Sequence, residues 1–137
     1  MTTESFWGSD VKTDQQIFDQ VARHLLTQKK LAYDPFMRRC KLRIIKDQII
    51  LKCAIGCLIP DDLYFSRMEE MMIVEIVRDV GDKLEIGISS LFLLQQLQSC
   101  HDNTYVHFWK DQLLKIAFEF CLDPEVVKLE FDKSKKG

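Results

Sequence analysis

Residues 40–60 decide the fold of this chain and read CKLRIIKDQIILKCAIGCLIP. Two runs rich in β-branched residues, 40–45 and 48–53, lie on either side of the polar pair Lys46-Asp47. Runs of this kind around a short polar connection are typical of a two-stranded antiparallel hairpin. We therefore expect a hairpin with its turn at this pair.

An apolar stretch follows the hairpin directly. It has no polar side chain between Cys53 and Pro60, and it contains the small residues Ala54 and Gly56. Apolar residues in such a run are usually buried, and a proline ends a helix. The stretch therefore predicts a short buried helix whose small residues let a neighbouring element approach closely.

Capping residues and apolar periodicity predict helices on both sides of the hairpin. Thr13-x-x-Gln16 and Ser66-x-x-Glu69 both have the capping-box pattern, in which two side chains satisfy the first free N–H groups of a helix. The predicted helices are 13–30, 66–80, 89–100 and 103–122. Residues 71–77 are also compatible with a strand, and residues 126–131 with a short helix or an edge strand.

Length and composition limit the class of protein. The 137 residues fit one domain, and 47% hydrophobic residues with mixed charge favour a folded chain. The expected fold class is α+β, a mostly helical single domain with a small antiparallel β-hairpin. We expect a flexible N-terminal arm at 1–12, a globular domain at 13–131 and a flexible C-terminal tail at 132–137.

Three features favour a cytoplasmic location. The chain has no run of about 18 uncharged apolar residues, so neither a membrane-spanning helix nor a membrane partner is expected. Its polar and acidic start does not resemble a secretory signal. Five cysteines are an odd number, which argues against a disulfide framework.

The charges are unevenly distributed, although the formal net charge is only −2. Residues 23–52 carry nine basic and two acidic side chains, whereas residues 61–85 carry eight acidic and three basic ones. This polarity could steer an acidic partner to one face, or the two segments could neutralise each other. The candidate binding residues are the basic side chains of the hairpin region and one aromatic residue of the arm: Arg38, Arg39, Lys41, Arg43, Lys46 and Trp7.

One candidate for catalysis is a thiol nucleophile at Cys53. A helix N-terminus and the neighbouring Lys52 would both stabilise a thiolate and lower the cysteine pKa. His101 could act as the base, with Asp102 orienting the imidazole. Against this, the apolar surroundings of Cys53 indicate a buried and inert thiol, and His101 could instead cap a helix that ends at Cys100.

A metal site is a second chemical candidate. The candidate ligands are Cys53, Cys57, Cys100 and His101, with His107 as an alternative to His101. These residue types are ones that zinc accepts, and a spacing of four places the first two on one helical face. The usual zinc pattern is Cys-x₂-Cys on a turn, so the spacing is weak support, and no cofactor is expected.

The segments KCAIGCLIPD at 52–61 and LQSCHD at 97–102 resemble elements of a family of small uncharacterised proteins from bacteriophages, prophages and some bacteria. In that family a helix similar to residues 17–26 comes first, a tyrosine follows the first segment, here Tyr64, and a tryptophan helix, here 109–117, comes last. The resemblance covers roughly residues 14–122. It implies the fold and a phage-linked setting, and it brings no known activity.

The leading functional hypothesis is a non-catalytic protein-binding module that uses the basic hairpin or the aromatic arm. Its expected partner is a host or phage protein, and the phage-linked setting suggests an inhibitor of host defence machinery. A cysteine-dependent hydrolase or transferase and a nucleic-acid-binding protein are the alternatives. The acidic net charge makes nucleic acid the less favoured partner. A homodimer is also possible, because an exposed hairpin edge can pair with a copy of itself.

Overall fold

Helix α1, residues Asp14–Gln28, lies at the centre of the core, where it packs against helices from later in the chain. The structure, a computed structural model, describes residues 11–136, so Trp7 and most of the predicted arm lie outside the described residues. The predicted capping box begins this helix. The Gln16 N–H donates to Thr13 Oγ1 at 3.1 Å, and the Thr13 N–H donates to Gln16 Oε1 at 2.8 Å.

The predicted α+β class is confirmed: the described residues form five helices and two small antiparallel strand pairs. The strands are β1 Tyr33–Asp34, β2 Arg39–Cys40, β3 Arg43–Lys46 and β4 Ile49–Lys52. The remaining helices are α2 Ile73–Leu84, α3 Leu91–Asn103, α4 Trp109–Glu119 and α5 Glu125–Lys136. Buried side chains from α1, α3 and α4 dominate the core, with Trp109 the largest of them.

The predicted hairpin is confirmed as the pair β3–β4, in which Ile45 lies opposite Ile50. The turn lies one residue later than predicted, because Lys46 still pairs with Ile49, and Asp47 and Gln48 connect the strands with φ angles of 52° and 67°. Positive φ at both central residues is the geometry of a two-residue turn that matches the twist of the strands. The pair β1–β2, in which Tyr33 lies opposite Cys40, was not foreseen.

The stretch after β4 is buried as predicted, but its helical part is a short 3₁₀ helix and not an α-helix. It makes one turn at Cys53–Cys57, closed by a 3.1 Å backbone bond, and a short 3₁₀ segment at Gly56–Leu58. The ladder of the hairpin extends into it, because the Cys53 N–H donates to the Leu42 carbonyl at 3.2 Å. This pairing fixes the backbone at Cys53 and leaves too few residues before Pro60 for a regular helix.

The second capping box was predicted wrongly. Residues Ser66–Glu70 form a 3₁₀ segment, and helix α2 begins later, at Ile73, where Glu75 accepts the Met72 N–H at 2.8 Å. Glu69 is not a helix cap, because its carboxylate accepts hydrogen bonds from the hairpin instead. The alternative of a strand at 71–77 is also wrong.

The boundaries of the last three helices differ from the prediction. Helix α3 extends to Asn103, and Ser90 donates to Asp14 Oδ1 at 2.6 Å instead of capping it. Helix α4 begins at Trp109, after a short 3₁₀ segment at Val106–Phe108. Residues 126–131 belong to helix α5, which continues to Lys136 and so passes the predicted domain boundary at 131.

Candidate functional site

His101 is a fully buried histidine whose two ring nitrogens both have partners. Its Nε2 accepts the Ala32 N–H at 3.0 Å, and its Nδ1 lies 2.7 Å from Asp102 Oδ1. Because Nε2 acts as an acceptor, the ring proton is on Nδ1 and is donated to the carboxylate. Helix α3 continues past His101, so the predicted role as a helix cap is wrong.

Asp102 is the hydrogen-bond acceptor that connects α3 to the first strand pair. Besides His101, it accepts the side-chain amide of Gln98 at 2.8 Å and the thiol of Cys40. Partial burial opposes ionisation, but these hydrogen bonds outweigh it and hold the pKa of Asp102 below its usual value. The carboxylate is therefore an anion fixed by donors from two elements.

Cys53 does not form the predicted nucleophile pair. Its thiol is buried and accepts the Gly56 N–H at 3.3 Å, whereas both nitrogens of His101 are bound to Ala32 and Asp102. Burial raises the pKa of Cys53 to about 12. The thiol is thus protonated at neutral pH, which is the opposite of what a nucleophile requires. Of the predicted catalytic residues, the structure joins only His101 and Asp102.

The predicted zinc ligands are not grouped either. The Cys57 thiol donates to the Ala54 carbonyl at 3.1 Å, and burial raises the pKa of both Cys57 and Cys100 to about 12. These hydrogen-bonded or buried neutral thiols are poor metal ligands, because zinc binds the thiolate.

A different triad, Cys40, His101 and Asp102, has its potential ligand atoms within 4.8 Å of one another. This triad does not fit a metal ion. A metal at His101 Nδ1 would displace the proton that Asp102 accepts, while the Ala32 N–H still points at Nε2. The ring would then have to become an imidazolate, whereas protein metal sites use neutral imidazole with a proton on the other nitrogen. The triad is a structural hydrogen-bond cluster.

Three of the predicted basic binding residues form ion pairs within the chain. Arg39 lies 3.0 Å from Glu70, Lys41 lies 3.5 Å from Asp34, and Arg43 lies 3.0 Å from Asp61. The guanidinium of Arg43 also stacks over a tyrosine ring at 4.1 Å. Two of these acids belong to the acidic segment 61–85, so part of the charge polarity is neutralised internally.

Arg38 and Lys46 are exposed, and neither has an ion-pair partner within residues 11–136. They lie on the turn between β1 and β2 and at the end of β3. These two cations are the part of the predicted basic surface that stays available to a partner.

Exposed large apolar side chains lie on the two strand pairs and also on other elements, for example at Phe92 and Phe118. Phe36 is 95% exposed at the β1–β2 turn, and Ile45 is 77% exposed near the β3–β4 turn. We define the hairpin surface as the exposed apolar residues of both pairs: Tyr33, Phe36, Met37, Ile45, Ile49 and Ile50. The hydrophobic pattern did not distinguish these residues from core residues, because alternation along a strand does not show which of its two faces packs against the rest of the domain.

A recess of about 510 Å³ separates the two strand pairs. Its walls include Tyr33 and Phe36 on one side and Ile45 on the other, with Lys41 and Lys46 beside them. An apolar pocket of this size with a few polar groups is within the range of protein binding sites. The charged residues of the lining are Lys41, Arg43 and Lys46 against Asp34 and Asp47, so the recess combines exposed apolar area with a small excess of positive charge.

The outer edges of the hairpin are partly covered by side chains. At the β3 edge, Glu69 accepts the N–H groups of Leu42 and Arg43 at 2.8 and 3.3 Å. At the β4 edge, Gln28 accepts the Lys52 N–H at 2.9 Å. The sequence did not reveal these contacts, since they join residues 24 or more positions apart.

No protein-family model, curated protein or solved structure matches this chain. None of the helices within residues 11–136 has the length and apolar character needed to cross a membrane.

Proposed function

We propose that this protein is a non-catalytic protein-binding module that binds its partner through the hairpin surface. The observation that carries the proposal is the grouping of large exposed apolar side chains beside unpaired cations on two adjacent strand pairs. Contiguous exposed apolar area with a charged border is typical of interaction sites in soluble proteins. The partner surface would be apolar and acidic.

The buried chemistry of α3 supports a binding role over a catalytic one. Raised thiol pKa values and a histidine with both nitrogens occupied provide neither a nucleophile nor a free base. The proposal also revises the set of binding residues. Arg38 and Lys46 remain in it, whereas Arg39, Lys41 and Arg43 help mainly to hold the strands through ion pairs.

The phage-linked setting, a host or phage protein as the partner, the inhibition of host defence and the cytoplasmic location stay predictions from the family resemblance and the sequence. Self-association through the same surface is the competing interpretation. A symmetric dimer would bring together two copies of the surface that carries Arg38 and Lys46, which favours an acidic partner over a second copy.

Affinity capture with paired variants tests the proposal. Phe36→Ser/Ile45→Ser alters the hairpin surface, and Phe92→Ser/Phe118→Ser removes two equally exposed phenylalanines from α3 and α4. We expect a protein from nuclease-treated lysate of the source cells to be retained by the wild type and the α3–α4 variant and lost by the hairpin variant. Equal retention by all three, or retention of none, would contradict the proposal.

A further inference from the structure

The hydrogen-bond pattern of the β3–β4 hairpin leaves one backbone position open on each edge. In an antiparallel pair, N–H groups alternate between the partner strand and the outer edge. The Cys53 N–H bonds inward to Leu42, whereas the N–H groups of Arg43 and Lys52 bond outward to side chains. By this alternation the next outward positions are Ile45 on β3 and Ile50 on β4.

The two open positions have different surroundings. Ile45 borders the recess that also contains Phe36, Lys41 and Lys46. Ile50 borders a depression of about 470 Å³ against α1, whose lining includes Arg23 and Gln28 of the helix as well as the apolar Ile49 and Leu51. The β3 edge therefore offers a backbone donor and acceptor next to an apolar wall and positive charge, while the β4 edge faces a helix.

We infer that the recess binds an extended acidic peptide segment of the partner, which adds as a strand to the edge of β3 at Ile45. This inference rests on the proposed function and specifies its binding mode. Strand addition gains affinity from main-chain hydrogen bonds and specificity from pockets for alternate side chains. Here one side chain of the segment would contact Phe36 and Tyr33, and its carboxylates would lie near Lys46 and Arg38.

Geometry at the covered end of β3 sets the register of the added strand. Glu69 already occupies the outward N–H of Arg43 and the N–H of Leu42, just before β3, so the segment cannot extend along the strand in that direction. The turn at Asp47 ends the strand on the other side. The main-chain contact is consequently short and centred on Ile45, and the apolar and charged contacts have to supply most of the specificity.

A pair of proline substitutions separates the two edges. Proline has no N–H, and in a strand it is tolerated where the N–H points outward. Ile45→Pro removes the donor at the β3 edge, and Ile50→Pro removes the equivalent donor at the β4 edge directly opposite. Ile45→Thr keeps the donor and removes apolar area, so it reports on the side chain alone.

The probe is a random library of displayed peptides about ten residues long, which is the upper length of an ordinary strand. We expect selection on the full chain to enrich peptides with alternating apolar residues and net negative charge. Ile45→Pro should weaken the enriched peptide about tenfold, whereas Ile50→Pro should leave binding within about twofold. Lys46→Glu should also weaken it, with a smaller effect at high salt.

Methylation of alternate peptide amides removes the same hydrogen bonds from the peptide side, so the inference stays testable if Ile45→Pro does not fold. Equal binding of methylated and unmethylated peptide, or enrichment of basic peptides, would overturn strand addition. Failure to enrich any peptide would overturn it as well.

Other results separate this inference from the proposed function. If Phe36→Ser loses peptide binding and Ile45→Pro keeps it, the protein-binding module stands and only strand addition is rejected. If the proposed protein-binding module is itself wrong, affinity capture shows it, because retention of the captured protein then does not depend on the hairpin surface.

Discussion

His101 illustrates how a residue type that suggests chemistry can serve structure. Its ring lies between Ala32 and Asp102, with hydrogen bonds of 3.0 and 2.7 Å, and stacks on Trp109 at a centroid distance of 5.5 Å. The ring thereby accepts a hydrogen bond from the backbone N–H of Ala32, in the loop before β1, which would otherwise be buried without a partner. Such a group costs far more when it is left unpaired than the bond contributes when it is made.

Truncation of the His101 side chain should lower the stability of the folded protein. We expect His101→Ala to lower the free energy of unfolding by about 3 kcal/mol, because it leaves the Ala32 N–H unpaired and a cavity beside Trp109. Urea denaturation measures the change. His107→Ala, at an exposed position, is the control and should change stability by less than about 0.5 kcal/mol. Equal effects of the two substitutions would show that the hydrogen bonds of His101 do not stabilise the fold.

Asp102 should make the free energy of unfolding depend on pH in the acidic range. Its pKa is lowered in the folded protein from the ordinary value of 3.8, so its stabilising contribution is fully present above that value. The contribution is lost as the pH falls through the lowered folded pKa. We expect the stability difference between wild type and Asp102→Asn to shrink when urea unfolding is moved from pH 7 to strongly acidic pH. A difference that is constant with pH would contradict the ionised cluster.

All the thiols except that of Cys121 should be unreactive in the folded state. Burial raises the pKa of Cys40, Cys53, Cys57 and Cys100 to about 12, whereas Cys121 is exposed. Iodoacetamide at pH 8 should therefore label Cys121 alone in the native protein and all five cysteines in denaturant, as read by mass spectrometry. Native labelling of Cys53 as fast as that of Cys121 would revive the catalytic hypothesis.

Single residues also show where sequence-based reasoning ends. Adjacent His101 and Asp102 were predicted as a pair, and local sequence was sufficient for that. The contribution of Cys40 was not foreseen, because no local pattern relates it to a residue 61 positions later. Of the two alternatives for Cys53, the buried and inert thiol fits the structure and the thiolate does not, because no α-helix begins there and burial raises the pKa.

At the scale of elements, the buried segment after β4 is held by close backbone contact. A Cβ atom at Gly56 would overlap the carbonyl oxygen of Leu42, so only glycine permits the segment to cross the strand. On the other side of the hairpin, Glu69 accepts two backbone N–H groups and the hydroxyl of Tyr64 at 2.6 Å. The hairpin is thus positioned by a backbone contact and a carboxylate.

A pair of glycine substitutions tests this contact. Gly56→Ala should lower the free energy of unfolding by about 3 kcal/mol, because the backbone of Leu42 must shift. Gly87→Ala meets only the Ser89 side chain at ordinary contact distance, and it should change stability by about 0.5 kcal/mol. Thermal or urea unfolding compares the two. A Gly56→Ala protein as stable as Gly87→Ala would show that the crossing is looser than described.

The elements differ in how far local sequence predicts them. The capping box at Thr13 and the hairpin turn act within a few residues; the box was predicted correctly, and the turn was predicted one residue too early. The box at Ser66 has the same pattern and failed, because Glu69 finds partners on a distant strand. The helix predicted after Cys53 failed for the same reason, since long-range contacts fix the local conformation.

At the scale of the whole molecule, the charge asymmetry of the sequence is partly converted into internal ion pairs. Arg43 and Lys52 both approach Asp61, at 3.0 and 3.2 Å, which brings the basic and acidic segments together. The apolar side chains of the hairpin surface stay exposed in the folded chain, so their burial contributes little to folding.

Polar substitution of the hairpin surface should therefore leave stability intact. We expect Phe36→Ser and Ile45→Ser each to change the free energy of unfolding by less than about 0.5 kcal/mol, because both side chains are exposed in the folded state. Chemical denaturation of the purified variants measures this. A loss above about 2 kcal/mol in either variant would mean that the residue belongs to the core and not to a binding surface.

Site-specific photo-crosslinking tests the central claim most directly. A benzophenone amino acid replaces Phe36, 95% exposed on the hairpin surface, or Phe118, 85% exposed on α4, in cells that produce the protein. Irradiation should produce a discrete crosslinked species containing a second, different protein from position 36 and none from position 118. Crosslinks of equal intensity from both positions, or from position 118 alone, would contradict a docking surface on the two strand pairs.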